Sequence, residues 1–424
     1  MVGIAHILLS SITFGGTKEI MSVKLLDFYT SLDVKSKKTD LTIVPFQFDT
    51  VVDEEGIVKA KGLDGQLYDT HSEASFYSVI GANDKKYRVF AFIGKPATPA
   101  PKSGYPAVVL AHGGAGISYF EWVEHWVSRG YVAIAPDLGG HYAKSGLARN
   151  ELNTKGVPNG KLEDMGSFCE TEDLSNSWMY FATVALGSAI NALYEYAEID
   201  SEKIALVGIS WGGVLALHAV GVEKRFKAAS IVYSSAYLSS SKWTQETYNL
   251  KSLKKDELAV YREYLDPSNS IRLITQPILF TAGMDDVAFT WLNRCATTQR
   301  IESDKTFAYR AQFAHGHWEG WTPKEAYAFT DTVFGLRKML PTISLKEMGG
   351  ELQILMQNEE EIEKVYIGFT IEKPDREVNQ LFEEYPIEPK EGKYTFVLPK
   401  ETTACFARYV LKDGTTFSTD IKIL

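Results

Sequence analysis

Cysteine is scarce in this 424-residue chain: Cys169, Cys295 and Cys405 lie far apart, are odd in number and form no CxxC pair. That spacing excludes a disulfide framework and a cysteine-based zinc site, and it points to buried free thiols of a reducing compartment. Long apolar runs are also missing, and none approaches the ~20 residues needed to cross a bilayer, so no membrane partner is expected. Ile4–Phe14 is fairly apolar, but no Lys or Arg precedes it and it contains His6 with several Ser and Thr. It therefore lacks the basic start and clear cleavage site of a signal peptide. A cytoplasmic protein is the expectation, with secretion the alternative. Basic clusters are absent too: Lys and Arg number 44 against 54 Asp and Glu, a net charge of −10. Nucleic-acid binding, which needs clustered cations, is thereby disfavoured. No internal repeat and no low-complexity tract is visible, and the sequence does not indicate an oligomeric state.

What is present is a dense alternation of short apolar strands and helices. Tyr87–Ile93, Ala107–Ala111, Val132–Ala135, Ile204–Val207, Ala228–Tyr233, Ile278–Thr281 and Phe307–Gln312 read as strands. Helical spacing falls at Phe120–Arg129, Trp178–Ala197, Val214–Val220 and Lys324–Leu336. Continuous apolar strands separated by helices predict an α/β fold with a mostly parallel sheet covered on both faces. The polar, glycine-bearing stretch 141–176 has no period and reads as a long irregular insertion that helps to shape a substrate mouth. After Pro341 the pattern changes to strands at Leu352–Met356, Lys364–Ile371, Tyr394–Leu398, Ala404–Leu411 and Thr416–Ile423, with Lys412-Asp413-Gly414 as a hairpin turn. Three units are expected: an N-terminal extension (1–85) with strands packing on the next unit, a catalytic domain (86–340), and an Ig-like β-sandwich (345–424).

The strongest chemical signal is Gly208-Ile-Ser210-Trp-Gly212-Gly213. It follows the apolar run Ile204–Val207 and opens a helix, the context that the G-x-S-x-G nucleophile turn requires. Such a turn projects Ser210 above the sheet edge and aims a helix N-terminus at developing negative charge. One oxyanion donor is then the backbone N–H of Trp211. The second comes from Val108-Val-Leu-Ala-His112-Gly-Gly114-Ala-Gly116, with Gly114 favoured over Ala115. These glycines match neither the P-loop nor the dinucleotide fingerprint.

A serine needs an imidazole base and a carboxylate to orient it, in the chain order Ser, acid, His. His218 lies eight residues along the helix, carried roughly 12 Å away, and reads as structural. His315 and His317 share the loop Phe313-Ala-His-Gly-His-Trp. His315 is preferred because the glycine after it lets the backbone turn sharply, leaving His317 to pack or hydrogen-bond beside it. Pro277-Ile-Leu-Phe-Thr-Ala-Gly283-Met-Asp285-Asp286 offers two carboxylates; G-x-x-D selects Asp286, and Asp285 could serve within the turn. His317, Trp318 and Trp178 are further candidates for substrate contact. No third ligand accompanies the H-x-H pair, so no metal is expected, and the chemistry needs no organic cofactor.

Four blocks resemble acetylxylan esterases and cephalosporin C deacetylase-like proteins of the dienelactone hydrolase branch of α/β-hydrolases. They are Pro106-Ala-Val-Val-Leu-Ala-His-Gly-Gly with Glu121-Trp-Val and Arg129-Gly-Tyr-Val-Ala-Ile-Ala-Pro-Asp137; Gly208-Ile-Ser-Trp-Gly-Gly with Gly221-Val-Glu-Lys-Arg-Phe-Lys; Gly283-Met-Asp-Asp-Val-Ala-Phe289; and Ala314-His-Gly-His-Trp-Glu-Gly-Trp-Thr-Pro-Lys-Glu. The likeness spans roughly residues 85–340 and implies the α/β-hydrolase fold, with Ser210, Asp286 and His315 as triad. It also implies removal of acetyl or other short acyl groups, often from sugars, so the expected partner is a small-molecule or carbohydrate ester. Two positions depart from that pattern: Gly114 stands where H-G-Y is usual, and Trp211 where Gln commonly follows the serine. The elbow is also similar to prolyl-oligopeptidase-type hydrolases. The C-terminal block Thr403-Ala-Cys-Phe-Ala-Arg-Tyr-Val looks like the β module appended to some of these enzymes.

A serine carboxylesterase is thus the leading expectation. A dipeptidyl or acylaminoacyl peptidase is the alternative, which the ~85 residues ahead of the first sheet strand leave without room for a gating propeller. A hydrolase fold kept for binding is the third, and labelling by an active-site fluorophosphonate would speak against it.

Overall fold

In the computed structural model, residues 39–80, 86–142, 177–247, 250–375, 377 and 380–424 are described. Most of the expected 141–176 insertion, the Ile4–Phe14 segment and Cys169 lie outside them. Eight strands build the central sheet: β1 (Ser72–Ile80), β2 (Lys86–Gly94), β3 (Tyr105–Ala111), β4 (Val132–Pro136), β5 (Ile199–Ile209), β6 (Ala228–Val232), β7 (Ile278–Gly283) and β8 (Lys305–Arg310). Their spatial order is β1-β2-β4-β3-β5-β6-β7-β8. The hairpin β1–β2 and the β2–β4 pair are antiparallel, and every neighbouring pair from β4 to β8 is parallel. Parallel neighbours need crossovers; helices α1 (Phe120–Val127), α2 (Trp178–Tyr196), α3 (Trp211–Val222) and α4 (Trp291–Thr298) lie in four of the connections, and the short helices Lys242–Thr247 and Lys255–Val260 in the one from β6 to β7.

Burial explains why the strands read as unbroken apolar runs. Every residue of β3, β4, β6 and β7 is buried, as a sheet covered on both faces demands. Apart from His218, helix α3 is apolar around its circumference, and all its residues from Trp211 to Gly221 are buried. A helix of that kind belongs inside a core. No helix among the described residues is long and apolar enough to cross a membrane.

The N-terminal stretch is pinned to this body. Thr42–Val44 adds to the free edge of β1, and a small sheet is formed by Thr50–Val52, Val58–Lys61 and Leu67–Tyr68. Two buried carboxylates of α1 receive it. Glu121 accepts the Leu63 N–H at 2.7 Å, and Glu124 accepts the His71 N–H at 2.8 Å and the Ser72 hydroxyl at 2.5 Å. Burial raises the Glu124 carboxyl above its ordinary range, and these donors offset part of that cost.

At the other end the strand-rich C-terminus is not separated from the sheet. Helices α5 (His317–Trp321) and α6 (Glu325–Val333) follow β8. Then come β9 (Thr342–Met348), β10 (Glu351–Gln357), β11 (Ile362–Thr370), β12 (Glu383–Pro386), β13 (Tyr394–Phe396), β14 (Ala404–Leu411) and β15 (Thr416–Ser418). β15 pairs antiparallel with β8 at Phe307–Ser418, and the order continues β15-β14-β11-β12. A second sheet, β9-β10-β13, completes the small sandwich. Buried Glu325 on α6 links the parts, taking Arg310 of β8 at 2.5 Å and the Thr416 N–H of β15 at 2.7 Å.

Candidate active site

The C-terminal ends of β3, β5, β6, β7 and β8 converge on Ser210. It joins β5 to α3 with φ 54° and ψ −117°, a conformation that costs a non-glycine residue roughly 1–3 kcal/mol. The sharpness of the turn fixes its glycines. A Cβ on Gly212 would lie 2.0 Å from the Ala111 carbonyl oxygen, and one on Gly208 2.3 Å from that of Gly212. Ala115 (φ 55°) and Tyr233 (φ 33°) are also left-handed, so strained backbone gathers round this one point.

Ser210 Oγ lies 2.8 Å from Nε2 of His315. The Nδ1 of His315 lies 3.2 Å from Oδ2 of Asp286. Asp286 is buried, and its Oδ1 accepts the N–H groups of Ala288 (2.9 Å) and Phe289 (3.1 Å). The fully buried guanidinium of Arg294 stands 3.9 Å from Oδ2. It is itself anchored on the carbonyls of Phe289 and Gly283. A carboxylate on Nδ1 sets the imidazole tautomer, which leaves the Nε2 lone pair free to receive the serine proton.

The other carboxylate and the other histidines are placed differently. Asp285 accepts the Phe313 N–H at 3.1 Å and so ties the start of the histidine loop to the end of β7. His317 turns its Nε2 to the Gly113 N–H at 3.0 Å, and burial lowers its pKa to about 4. His218, on α3 itself, is buried between the Leu265 carbonyl and the Ser270 hydroxyl, and burial lowers its pKa to about 4 as well.

The 112–116 turn lies against the serine, since a Cβ on Gly113 would come within 3.1 Å of Ser210 Cβ. Gly114 is half-buried and Ala115 exposed at its rim, and Trp211 is the first residue of α3. Trp178 is only 1 % exposed; its indole N–H donates to Leu138 O at 2.7 Å and its ring stacks on Trp211 at 6.1 Å. It backs Trp211 rather than facing solvent. Trp318 is half-buried and packs edge-on against Tyr119 and Trp321.

Several residues of the site went unnoticed in the sequence. Tyr233 places its ring 4.4 Å from that of His315 and donates its hydroxyl to Gly316 O, while Phe289 lies parallel to the imidazole at 6.1 Å. Tyr233 follows directly on the apolar run of β6, at the strand end where Ser210 and Asp286 also sit, and that position was the available signal. Arg294 gave none, because its partners are backbone carbonyls at the end of β7 and in the loop that follows. Among the described residues no group of three or more His, Cys, Asp or Glu could hold a metal.

Comparison with known proteins adds the following. The profile of the Prolyl oligopeptidase family matches residues 187–334. Among curated protein sequences none matches significantly. Acetyl xylan esterase 1 from Thermoanaerobacterium sp. superposes with a TM-score of 0.53 at 17% identity, covering 75% of this chain and 93% of that one. An acetyl xylan esterase from Paenibacillus sp. R4 gives 0.54 at 17% identity, covering 78% and 99%. At such identities the likeness establishes the fold, which is that of an α/β-hydrolase with a small C-terminal β-sandwich.

Proposed function

We propose that this α/β-hydrolase is a carboxylic ester hydrolase that removes acetyl or other short acyl groups, with carbohydrate esters as the substrate class. The observation that carries this reading is the continuous relay from Ser210 Oγ through His315 to Asp286, at 2.8 and 3.2 Å. In the mechanism that follows, Oγ attacks the ester carbonyl carbon while Nε2 of His315 takes its proton. The resulting oxyanion is met by the N–H groups of Trp211 and Gly114. Collapse breaks the bond to the alcohol, which leaves with the proton from Nε2. Water then repeats the sequence on the acyl-serine, releasing the carboxylic acid and restoring Ser210.

Acetyl esters are favoured because the acetyl xylan esterases share the fold over nearly their whole length, and because the Trp211–Trp178 stack puts bulk beside the serine. The Prolyl oligopeptidase profile favours a second reading, cleavage of aminoacyl amides by the same triad. One experiment separates them: kcat/KM for an acyl-chain series of nitrophenyl esters, sugar acetates and aminoacyl amides. The proposal expects acetyl to exceed octanoyl esters at least about tenfold, ~1.4 kcal/mol in the transition state. A higher kcat/KM for aminoacyl amides than for acetyl esters would replace it with the peptidase reading.

A further inference from the structure

We infer that His317 is a positioning residue of the oxyanion site, its neutral imidazole working with His112 to fix the two peptide planes that lead into Gly114. The inference rests on the ester-hydrolase reading for its consequences, but its geometry is independent of it. Both tautomers follow from the partners. The Gly113 N–H can only donate, so the His317 Nε2 at 3.0 Å must accept, and the ring proton sits on Nδ1. The Gly113 carbonyl can only accept, so the His112 Nδ1 at 2.8 Å must donate. The His112 Nε2 in turn accepts the Leu138 N–H at 2.9 Å.

These two contacts fall on successive peptides. His317 holds the 112–113 peptide by its N–H, and His112 holds the 113–114 peptide by its carbonyl. In a trans peptide the N–H points opposite to the carbonyl, so fixing the Gly113 oxygen also fixes the direction of the Gly114 N–H. The segment carries glycine at 113, 114 and 116 and left to itself would sample many conformations. The clamp leaves no room for a side chain at Gly116, where a Cβ would come within 2.6 Å of His317 Nε2, and little at Gly113, where it would come within 3.0 Å. A donor that must meet an oxyanion without reorganising needs this kind of second support.

Tyr119 and Trp318 hold the ring side of the arrangement. Tyr119 lies 5.2 Å from the His317 ring and 5.6 Å from Trp318. His317 also opens α5 immediately after Gly316, whose carbonyl Tyr233 captures. The base His315 and the clamp His317 are therefore set by one short turn, which couples the position of the proton acceptor to that of the oxyanion loop.

The test compares His317→Leu, which cannot accept a hydrogen bond, with His317→Gln, whose carbonyl can. The expected result is a loss of about a hundredfold in kcat for the Leu variant with KM little changed. An alkylboronate that forms a tetrahedral adduct should weaken in parallel, and the Gln variant should recover most of both losses. Equal losses in the two variants, or an unchanged kcat in His317→Leu, would overturn the proposal. Nitrogen NMR of the histidine rings gives a readout that needs no turnover: His317 should carry its proton on Nδ1 at neutral pH, and a protonated Nε2 would refute the clamp. Loss of activity in wild-type protein and Ser210→Ala alike would instead count against the ester-hydrolase reading and leave the NMR result to decide the clamp.

Discussion

The parallel strands β3–β8 and the antiparallel C-terminal strands β15, β14, β11 and β12 are hydrogen-bonded into one sheet, yet they carry different duties. Every residue brought to Ser210 comes from the ends of the parallel strands or the loops that follow them. The antiparallel extension supplies none of these, though it shares the sheet through Phe307 and Ser418. Parallel strands point all their C-terminal ends to one side, so their loops meet there, whereas antiparallel strands alternate and cannot concentrate loops at one edge. Continuity of hydrogen bonding and participation in the chemistry are separate properties of this sheet.

That division can be broken or sharpened by mutation. The largest effect is expected at Ser210→Ala, which should lower kcat by at least about 10⁴-fold with the fold intact, since the members of such a triad act as a unit. Steady-state kinetics beside circular dichroism would check it. Arg294→Met comes next, removing the cation buried 3.9 Å from Asp286 and leaving that buried carboxylate with His315 and two backbone N–H groups. A stability loss of about 3–5 kcal/mol is expected, read as a lower denaturant midpoint.

On the antiparallel side, Glu325→Ala leaves Arg310 and the Thr416 N–H without their shared buried acceptor. It should cost about 1–3 kcal/mol while kcat at a temperature where the protein stays folded is unchanged. A fall in kcat there would show that the extension does act on the site. The last effect concerns pH. Burial lowers the His218 pKa from 6.5 to about 4; between these values the unfolded chain binds the proton and the folded one does not. Stability from this group is therefore complete above pH 6.5 and lost as pH falls towards about 4. Thermal melts should decline across that window, and His218→Gln should flatten the decline.

Legibility in the sequence followed the range of the forces involved. The elbow could be read because its constraint is local: only glycine fits at positions 208 and 212, and the strand and helix flank it directly. The alternation of apolar runs likewise revealed the parallel sheet, since burial on both faces leaves its mark within each strand. Asp285 and Asp286, like His315 and His317, came as pairs, within which local patterns (G-x-x-D, and the glycine after His315) gave the preference. Spacing does not say which ring turns to the serine and which to Gly113, because that depends on the twist of a turn held by Tyr233, whose hydroxyl lies 83 residues away in sequence from Gly316. The junction of β8 with β15 was illegible for a similar reason: a pairing between residues 307 and 418 leaves no periodic trace, and Pro341 marked only the change of strand pattern.

The most direct test of the central claim is to trap the acyl-enzyme. Wild-type protein mixed with nitrophenyl acetate, quenched in acid and digested, should show an acetyl increment on the peptide containing Ser210 by mass spectrometry. The same increment should be absent from Ser210→Ala. Turnover of the ester with no acyl group on Ser210, or with the group on another residue, would contradict the assignment.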